Sequence, residues 1–327
     1  MRIGLIGFGF MGGVHLSAID QIEGVSAIAV SSRTRPAADS PPRGNLPDAR
    51  SIDLPPDIQW YSDWRELLEN PEVDAVDICL PTNLHKEVAL SALAKGKHVL
   101  CEKPMALTRP DCQEILEAAS RSDRVFMVAQ VLRFMFPYRY AAAFVAAISP
   151  GSVKTCRMQR KTGYPRWSDW LAKEQSSGGA IIDLLIHDID QALELFGTPK
   201  TVSAISLGEV DTMLGTLRYS NGMKVQIEGG WYAPELPFSA GFDITADHAA
   251  LSFQQGELSL DLGGLKQAIS VPESLGYVEQ MMYFIECCRK NAAPELCPPA
   301  DSARAVEVAI LLKSSRDRNG KELSCEL

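Results

Sequence analysis

The sequence predicts two domains. Residues 1–130 read as a doubly wound α/β domain with a parallel sheet. Residues 131–327 read as an α+β domain with a largely antiparallel sheet. Three observations carry this reading. Short apolar runs alternate with helical segments up to residue 130. A glycine-rich turn closes the first of those runs. From about residue 151 the pattern changes to strand-like alternation. Strands that are apolar throughout need cover on both faces, which helices on either side of a parallel sheet supply. A chain of 327 residues has the length for two domains and a sizeable core.

The elements follow in order. RIGLIGF (2–8) reads as a buried strand, MGGVHLSAIDQI as a helix, and 25–32 as a second strand. Further strands fall at 73–81, 97–102 and 124–130, with helices at 83–95 and 108–122. Residues 34–57 hold six prolines where a crossover helix belongs. Proline removes a helix donor and clashes with the preceding turn, so a long irregular loop is expected there. A helix is expected next, from Asp63 to Asn70. In the second part, 136–148 reads as a helix and SVKTCRMQRKT as a strand. Residues 200–262 read as β-strands, and 274–290 and 301–317 as closing helices. Asn221-Gly222 between two alternating runs predicts a hairpin with a type I′ turn. SGGAIIDLLIHDID (177–190) reads as the start of an amphipathic helix.

Composition narrows the function. The net charge is −9 with no block of Lys and Arg, which speaks against nucleic acid and anionic membrane surfaces as partners. No apolar stretch approaches the ~20 residues of a membrane span. The N-terminus lacks the pattern of a signal peptide. The eight cysteines show no CxxC or other zinc spacing. They are expected to be reduced thiols in a cytoplasmic protein, with no metal site.

GFGFMG (Gly7, Phe8, Gly9, Phe10, Met11, Gly12) has GxGxxG spacing between a strand and a helix. In that context the glycines let backbone approach a pyrophosphate, and the helix N-terminus favours its charge. The expected ligand is a dinucleotide. An NAD site usually places an acid roughly 20 residues on, to bind the ribose 2′-hydroxyl. That position is Ser32, and Val25 to Ala38 contain no acid. Arg33 and the Ser32 hydroxyl suit a 2′-phosphate, so NADP is preferred over NAD.

Further motifs converge: PTNLH (81–85), CEKP (101–104), and Asp183-x-x-x-His187 followed by Asp190. With the N-terminal GxGxxG, their order resembles the Gfo/Idh/MocA family of NAD(P)-dependent oxidoreductases, which includes inositol dehydrogenases and glucose-fructose oxidoreductase. The resemblance covers nearly the whole chain. It implies a Rossmann domain and a second domain whose open sheet forms a homodimer or homotetramer interface. It also implies a dehydrogenase or reductase acting on a secondary alcohol of a sugar, sugar derivative or cyclitol. Family roles map onto Lys103, Asp183 and His187. Pro81, Thr82, Asn83, His85 and Glu102 fall in segments that border the nicotinamide half, and Arg133 of VLRF is expected to reach the substrate. Two departures stand out. The proline-rich loop replaces a crossover helix, and Leu185 stands where many relatives have Gly.

The residue types suit the chemistry. Oxidation of an alcohol removes a proton and a hydride from one centre. Histidine, with its pKa near neutrality, suits the base, so His187 is assigned that role. Lys103 stabilises developing alkoxide charge and relays the proton, and Asp183 positions. The roles of Lys103 and His187 can be exchanged. On one helix, Asp183, His187, Asp190 and Glu194 form a polar stripe opposite an apolar arc. Spacing alone fits a solvated helix face equally well. Tyr164, Arg166, Trp167 and Trp170 of GYPRWSDW are candidates to line a polyol pocket. Two other classes share this fold: a non-enzymatic dinucleotide-binding regulator and an NAD-dependent glycoside hydrolase.

Overall fold

The structure, a computed structural model, describes residues 1–35, 54, 57–148, 151–166, 168–208 and 211–326. Most of the proline-rich 34–57 segment and Trp167 therefore lie outside the described residues. The chain divides into two compact units: 1–131 with 275–303, and 132–274 with 304–327.

The first unit holds a six-stranded parallel sheet. Its elements are β1 (Arg2–Ile6), α1 (Phe10–Ile19), β2 (Ser26–Ser31), β3 (Gln59–Tyr61), α2 (Trp64–Glu69), β4 (Ala75–Ile78), α3 (His85–Ala94), β5 (His98–Glu102), α4 (Arg109–Arg121) and β6 (Phe126–Ala129). The strand order is β3-β2-β1-β4-β5-β6. β4, β5 and β6 are buried along their whole lengths, which is why they read as mainly apolar runs. Asp63 caps α2, its carboxylate accepting the Arg65 N–H at 2.9 Å, and Thr108 caps α4, its hydroxyl accepting the Asp111 N–H at 3.2 Å. β3 is an addition to the sequence reading; at three residues it is too short to show a period.

The second unit is built on α5 (Phe136–Ala147), β7 (Val153–Gly163), α6 (Glu174–Ser177), α7 (Ala180–Asp183) and α8 (Ile186–Phe196). The strands β8 (Thr201–Ile205), β9 (Thr212–Arg218), β10 (Lys224–Tyr232), β11 (Ser239–Ala246), β12 (Ala249–Gln254), β13 (Glu257–Leu262) and β14 (Leu265–Ile269) follow. In chain order α9 (Tyr277–Lys290), which belongs to the first unit, is followed by α10 (Pro299–Arg316) and β15 (Leu323–Ser324). The nine-stranded sheet runs β14-β13-β12-β11-β7-β10-β9-β8-β15 and is antiparallel except for the β7–β10 pair. Residues 275–303, expected in the second domain, belong to the first unit. There the His15 ring on α1 meets Tyr277 on α9 at 6.0 Å, and the Cys297 thiol donates to the Val128 carbonyl at 3.1 Å.

Two local expectations give way. The β9–β10 turn is not type I′, which needs positive φ at both central residues. Here Gly222 has φ +87° and Asn221 has no positive φ. The Gly222 N–H donates to the Tyr219 carbonyl at 3.0 Å, as in a type I turn followed by a left-handed glycine. The single helix expected over 180–196 is broken between α7 and α8. The Leu184 and Leu185 N–H groups both donate to the Ala180 carbonyl at 2.9 Å, and Ile189 N–H resumes the ladder on Leu185.

None of the eight cysteines is in a disulfide. Among the described residues, no helix is long and apolar enough to cross a membrane.

Candidate active site

The first candidate region lies at the carboxyl ends of β1, β4 and β5, where open parallel sheets bind ligands. The three glycines of the β1–α1 turn do different work. Gly7 has φ +99°, and a Cβ there would lie 2.4 Å from the Cys79 carbonyl oxygen. A Cβ on Gly12 would lie 2.3 Å from the Gly7 carbonyl oxygen, so this glycine lets α1 close onto the turn. Gly9, the exposed N-cap of α1, has nothing within 4 Å of such a Cβ among the described residues. The N-cap glycine offers no capping side chain, and the first turn of α1 holds no acid. Open space beside bare backbone, at an uncapped helix N-terminus, fits a pyrophosphate. Phe8, Phe10 and Met11 are half-buried around it, and Phe8 packs edge-on against Trp60 at 6.4 Å. Ser32 is half-buried and Arg33 exposed just past β2.

The β4 and β5 loops are tied together beneath this turn. His85 is 1% exposed, and both ring nitrogens face backbone carbonyls: Nδ1 that of Pro104 at 2.9 Å, Nε2 that of Leu80 at 2.8 Å. Burial lowers its pKa from the ordinary value, against the pull of those two carbonyls. His85 thus joins PTNLH to EKP, in place of the ligand contact expected of it. Thr82 is also buried, Pro81 is half-buried, and Asn83 is exposed on the 3₁₀ turn Thr82–Leu84. Lys103 is half-buried, and its peptide bond to Pro104 is cis.

A buried charge cluster went unread in the sequence. His15 Nδ1 lies 2.8 Å from Asp77 Oδ2. Its Nε2 lies 3.1 Å from Glu102 Oε1, at ion-pair range but out of line for a good hydrogen bond. The Cys79 thiol sits 3.6 Å from both His15 Nδ1 and Asp77 Oδ1. Burial works against a charged His15, yet Asp77 and Cys79 together raise its pKa well above the ordinary value. Burial also opposes ionisation of Glu102, but His15 and Lys103 hold its pKa below the usual range. Burial pushes the Cys79 thiol upward. The donors of His15, Asp77 and Cys79 lie within 4.8 Å of one another, a set of metal-ligand types. At 2.8 Å, His15 Nδ1 and Asp77 Oδ2 are at the distance of an ordinary charge-assisted hydrogen bond. The overlooked signal was Asp77 itself, an acid inside the apolar run AVDICLP, which requires a buried partner.

The second candidate region is the α7–α8 break in the other unit. Gly178 and Gly179 have φ +78° and +81°, conformations that side chains rarely take. They deliver the chain into α7, where the Ala180 N–H donates to Asp211 at 2.6 Å. Asp211 is itself held by Arg316. Asp183 and His187 are half-buried, one on each side of the break. Asp190 does not continue a solvated stripe. It is 1% exposed and takes two hydrogen bonds of 2.8 Å from Arg133, one from Nε and one from Nη2. Arg133, expected to reach the substrate, holds α8 through Asp190. Asp188, fully buried, pairs with Arg160 at 2.7 Å, and Arg160 also donates to the Tyr138 hydroxyl at 3.2 Å. Neither Asp188 nor Arg160 was singled out in the sequence. Tyr164 packs edge-on against Trp231 at 5.7 Å, beside Ala180 and Leu184 of the break. Arg166 is exposed and Trp170 half-buried.

Comparison with known proteins matches both units. Residues 1–130 fit the family described as "Oxidoreductase family, NAD-binding Rossmann fold", and residues 138–251 fit the "GFO/IDH/MocA C-terminal domain". Levoglucosan dehydrogenase of Pseudarthrobacter phenanthrenivorans is 30% identical over 250 residues, 70% of this chain and 62% of that protein. Myo-inositol 2-dehydrogenase of Thermotoga maritima is 28% identical over 238 residues, 68% of this chain and 66% of that one. The matched stretch thus spans less than two thirds of these relatives' length. Among solved structures, levoglucosan dehydrogenase in complex with NADH and levoglucosan superposes with a TM-score of 0.83 at 20% identity, covering 100% of both chains. That likeness establishes the shared fold.

Proposed function

The chain belongs to the Gfo/Idh/MocA oxidoreductase family, and from that premise we propose that it oxidises or reduces a secondary alcohol of a sugar, sugar derivative or cyclitol. The observation that carries this is the pairing of an uncapped glycine turn at the end of β1 with half-buried Lys103 at the end of β5. The first suits a dinucleotide, and the second places an ammonium where such sheets bind ligands. The relatives named for levoglucosan and myo-inositol point to the same substrate class.

A bound nicotinamide dinucleotide supplies hydride acceptance or donation. NADP is preferred over NAD because Ser32 and Arg33 follow β2 with no acid between Val25 and Arg35. The remaining work belongs to the chain. His187 takes the hydroxyl proton at an imidazole nitrogen. Lys103 hydrogen-bonds the reacting oxygen and stabilises its developing negative charge. Asp183 orients the substrate or the imidazole. Tyr164 and Arg166 lie in the segment that contacts the polyol. The protein acts in the cytoplasm as a homo-oligomer, with a second copy covering the outer strands of the open sheet, where Leu262 and Leu265 are 54% and 80% exposed.

Thermal shift with NADP⁺ and NAD⁺, then a cofactor-absorbance screen over inositols, aldoses and anhydrosugars, tests the reading. Lys103→Ala and His187→Ala are expected to lower turnover by about 10²-fold or more while dinucleotide binding persists. Near-normal turnover of both variants on a confirmed substrate would overturn it.

A further inference from the structure

The strongest unassigned feature is the buried charge cluster beneath the glycine turn. Its members come from separate elements: His15 from α1, Asp77 from β4 and Glu102 from the end of β5. All three side chains are at most 8% exposed. Such a set is costly to bury unless each charge is matched. The cluster does not end at Glu102. While Oε1 faces His15, Oε2 accepts the backbone N–H of Lys103 at 3.1 Å. A continuous path therefore runs from Asp77 through the imidazole and the Glu102 carboxylate to the backbone of Lys103.

We propose that His15 is a positioning residue, which by bridging Asp77 and Glu102 fixes the Glu102 carboxylate and through it the backbone that presents Lys103. This deepens the reading of Lys103 as the group that meets the reacting oxygen, and its importance for turnover rests on that reading. Geometry supports the path independently of any ligand. A doubly protonated imidazole attracts both carboxylates, Asp77 at hydrogen-bond distance from Nδ1 and Glu102 at ion-pair range of Nε2. Glu102 then holds a fixed orientation, and its second oxygen is directed at Lys103 N–H. Among the described residues, the other charged or titratable groups around the path are the Cys79 and Cys101 thiols, His85 and the Lys103 ammonium, with the Tyr277 ring against His15.

The two amide substitutions separate this role from simple space filling. In His15→Gln the side-chain amide nitrogen falls near the place of Nε2, so an N–H group still faces Glu102 Oε1. In His15→Asn the donor falls near Nδ1, and Glu102 loses its partner. Hydrogen exchange at the Lys103 amide reads the path directly, without substrate or cofactor. We expect His15→Asn to speed that exchange about tenfold or more and His15→Gln to leave it within about threefold. In the Glu102→Gln background, His15→Asn should add little, because the link is already altered. Equal exchange in wild type and a folded His15→Asn variant would overturn the proposal. Should His15→Asn fail to fold, imidazole ¹⁵N spectra of the wild-type protein decide, since a neutral His15 ring at pH 7.5 would also overturn it. Turnover then separates the two readings. If exchange responds but Lys103→Ala stays active, the path stands and the assignment of Lys103 falls. If Lys103→Ala is inactive but exchange is unmoved, the assignment stands and the path falls.

Discussion

Arg133 grips Asp190 with two hydrogen bonds of 2.8 Å, and both side chains are at most 3% exposed. Together with Arg160–Asp188 this places two buried ion pairs on α8, one on the residue after His187 and one three residues on. Removing one partner of such a pair leaves a charge buried and unmatched.

Arg133→Met is therefore expected to destabilise the fold by about 3–5 kcal/mol, and Arg133→Met with Asp190→Leu to recover much of that loss. Denaturant unfolding measures both. A single-variant loss below about 1 kcal/mol would show that the pair does not brace α8.

The glycine turn offers a contrast between neighbours. Gly7→Ala meets the Cys79 carbonyl at 2.4 Å with φ +99°, so it should lower the melting temperature by several degrees. Gly9→Ala finds open space, so its melting temperature should stay close to wild type. Its added methyl group should instead weaken dinucleotide binding about tenfold or more, because it enters the space assigned to the pyrophosphate. Isothermal titration with NADP⁺ and NAD⁺ separates the two effects.

The charge cluster predicts a pH window. His15 has a raised folded pKa, so its stabilisation is complete below the unfolded value and is lost as pH rises through the folded one. Glu102 has a lowered folded pKa, so its share is present above the unfolded value and is lost as pH falls through the folded one. Melting temperature followed from acid to alkaline pH should decline on the alkaline side less steeply in His15→Gln than in wild type. Parallel alkaline slopes would count against a charged His15.

Arg33 should set cofactor choice. Arg33→Ala is expected to weaken NADP⁺ binding about tenfold while leaving NAD⁺ within a factor of about two, since only the 2′-phosphate loses a partner. Equal losses for both dinucleotides would assign Arg33 to the adenine.

The fold class was legible because each signal is local. The apolar runs of β1, β4 and β5 and the glycine spacing at 7, 9 and 12 depend on neighbours in the chain. The helix signal at 180–196 was also read, but its period could not show the break after Asp183. That break follows two left-handed glycines, Gly178 and Gly179, and the capping of α7 by Asp211 from 31 residues away.

The sequence by itself determined the parallel sheet, the phosphate-type turn and the positions of Lys103, Asp183 and His187 along the chain. Only the tertiary structure decided which polar groups are buried and with whom. His15 meets Asp77 across 62 positions, and Arg133 meets Asp190 across 57. A buried charge must find its counter-charge wherever the fold brings one close, and no period in the sequence records that distance.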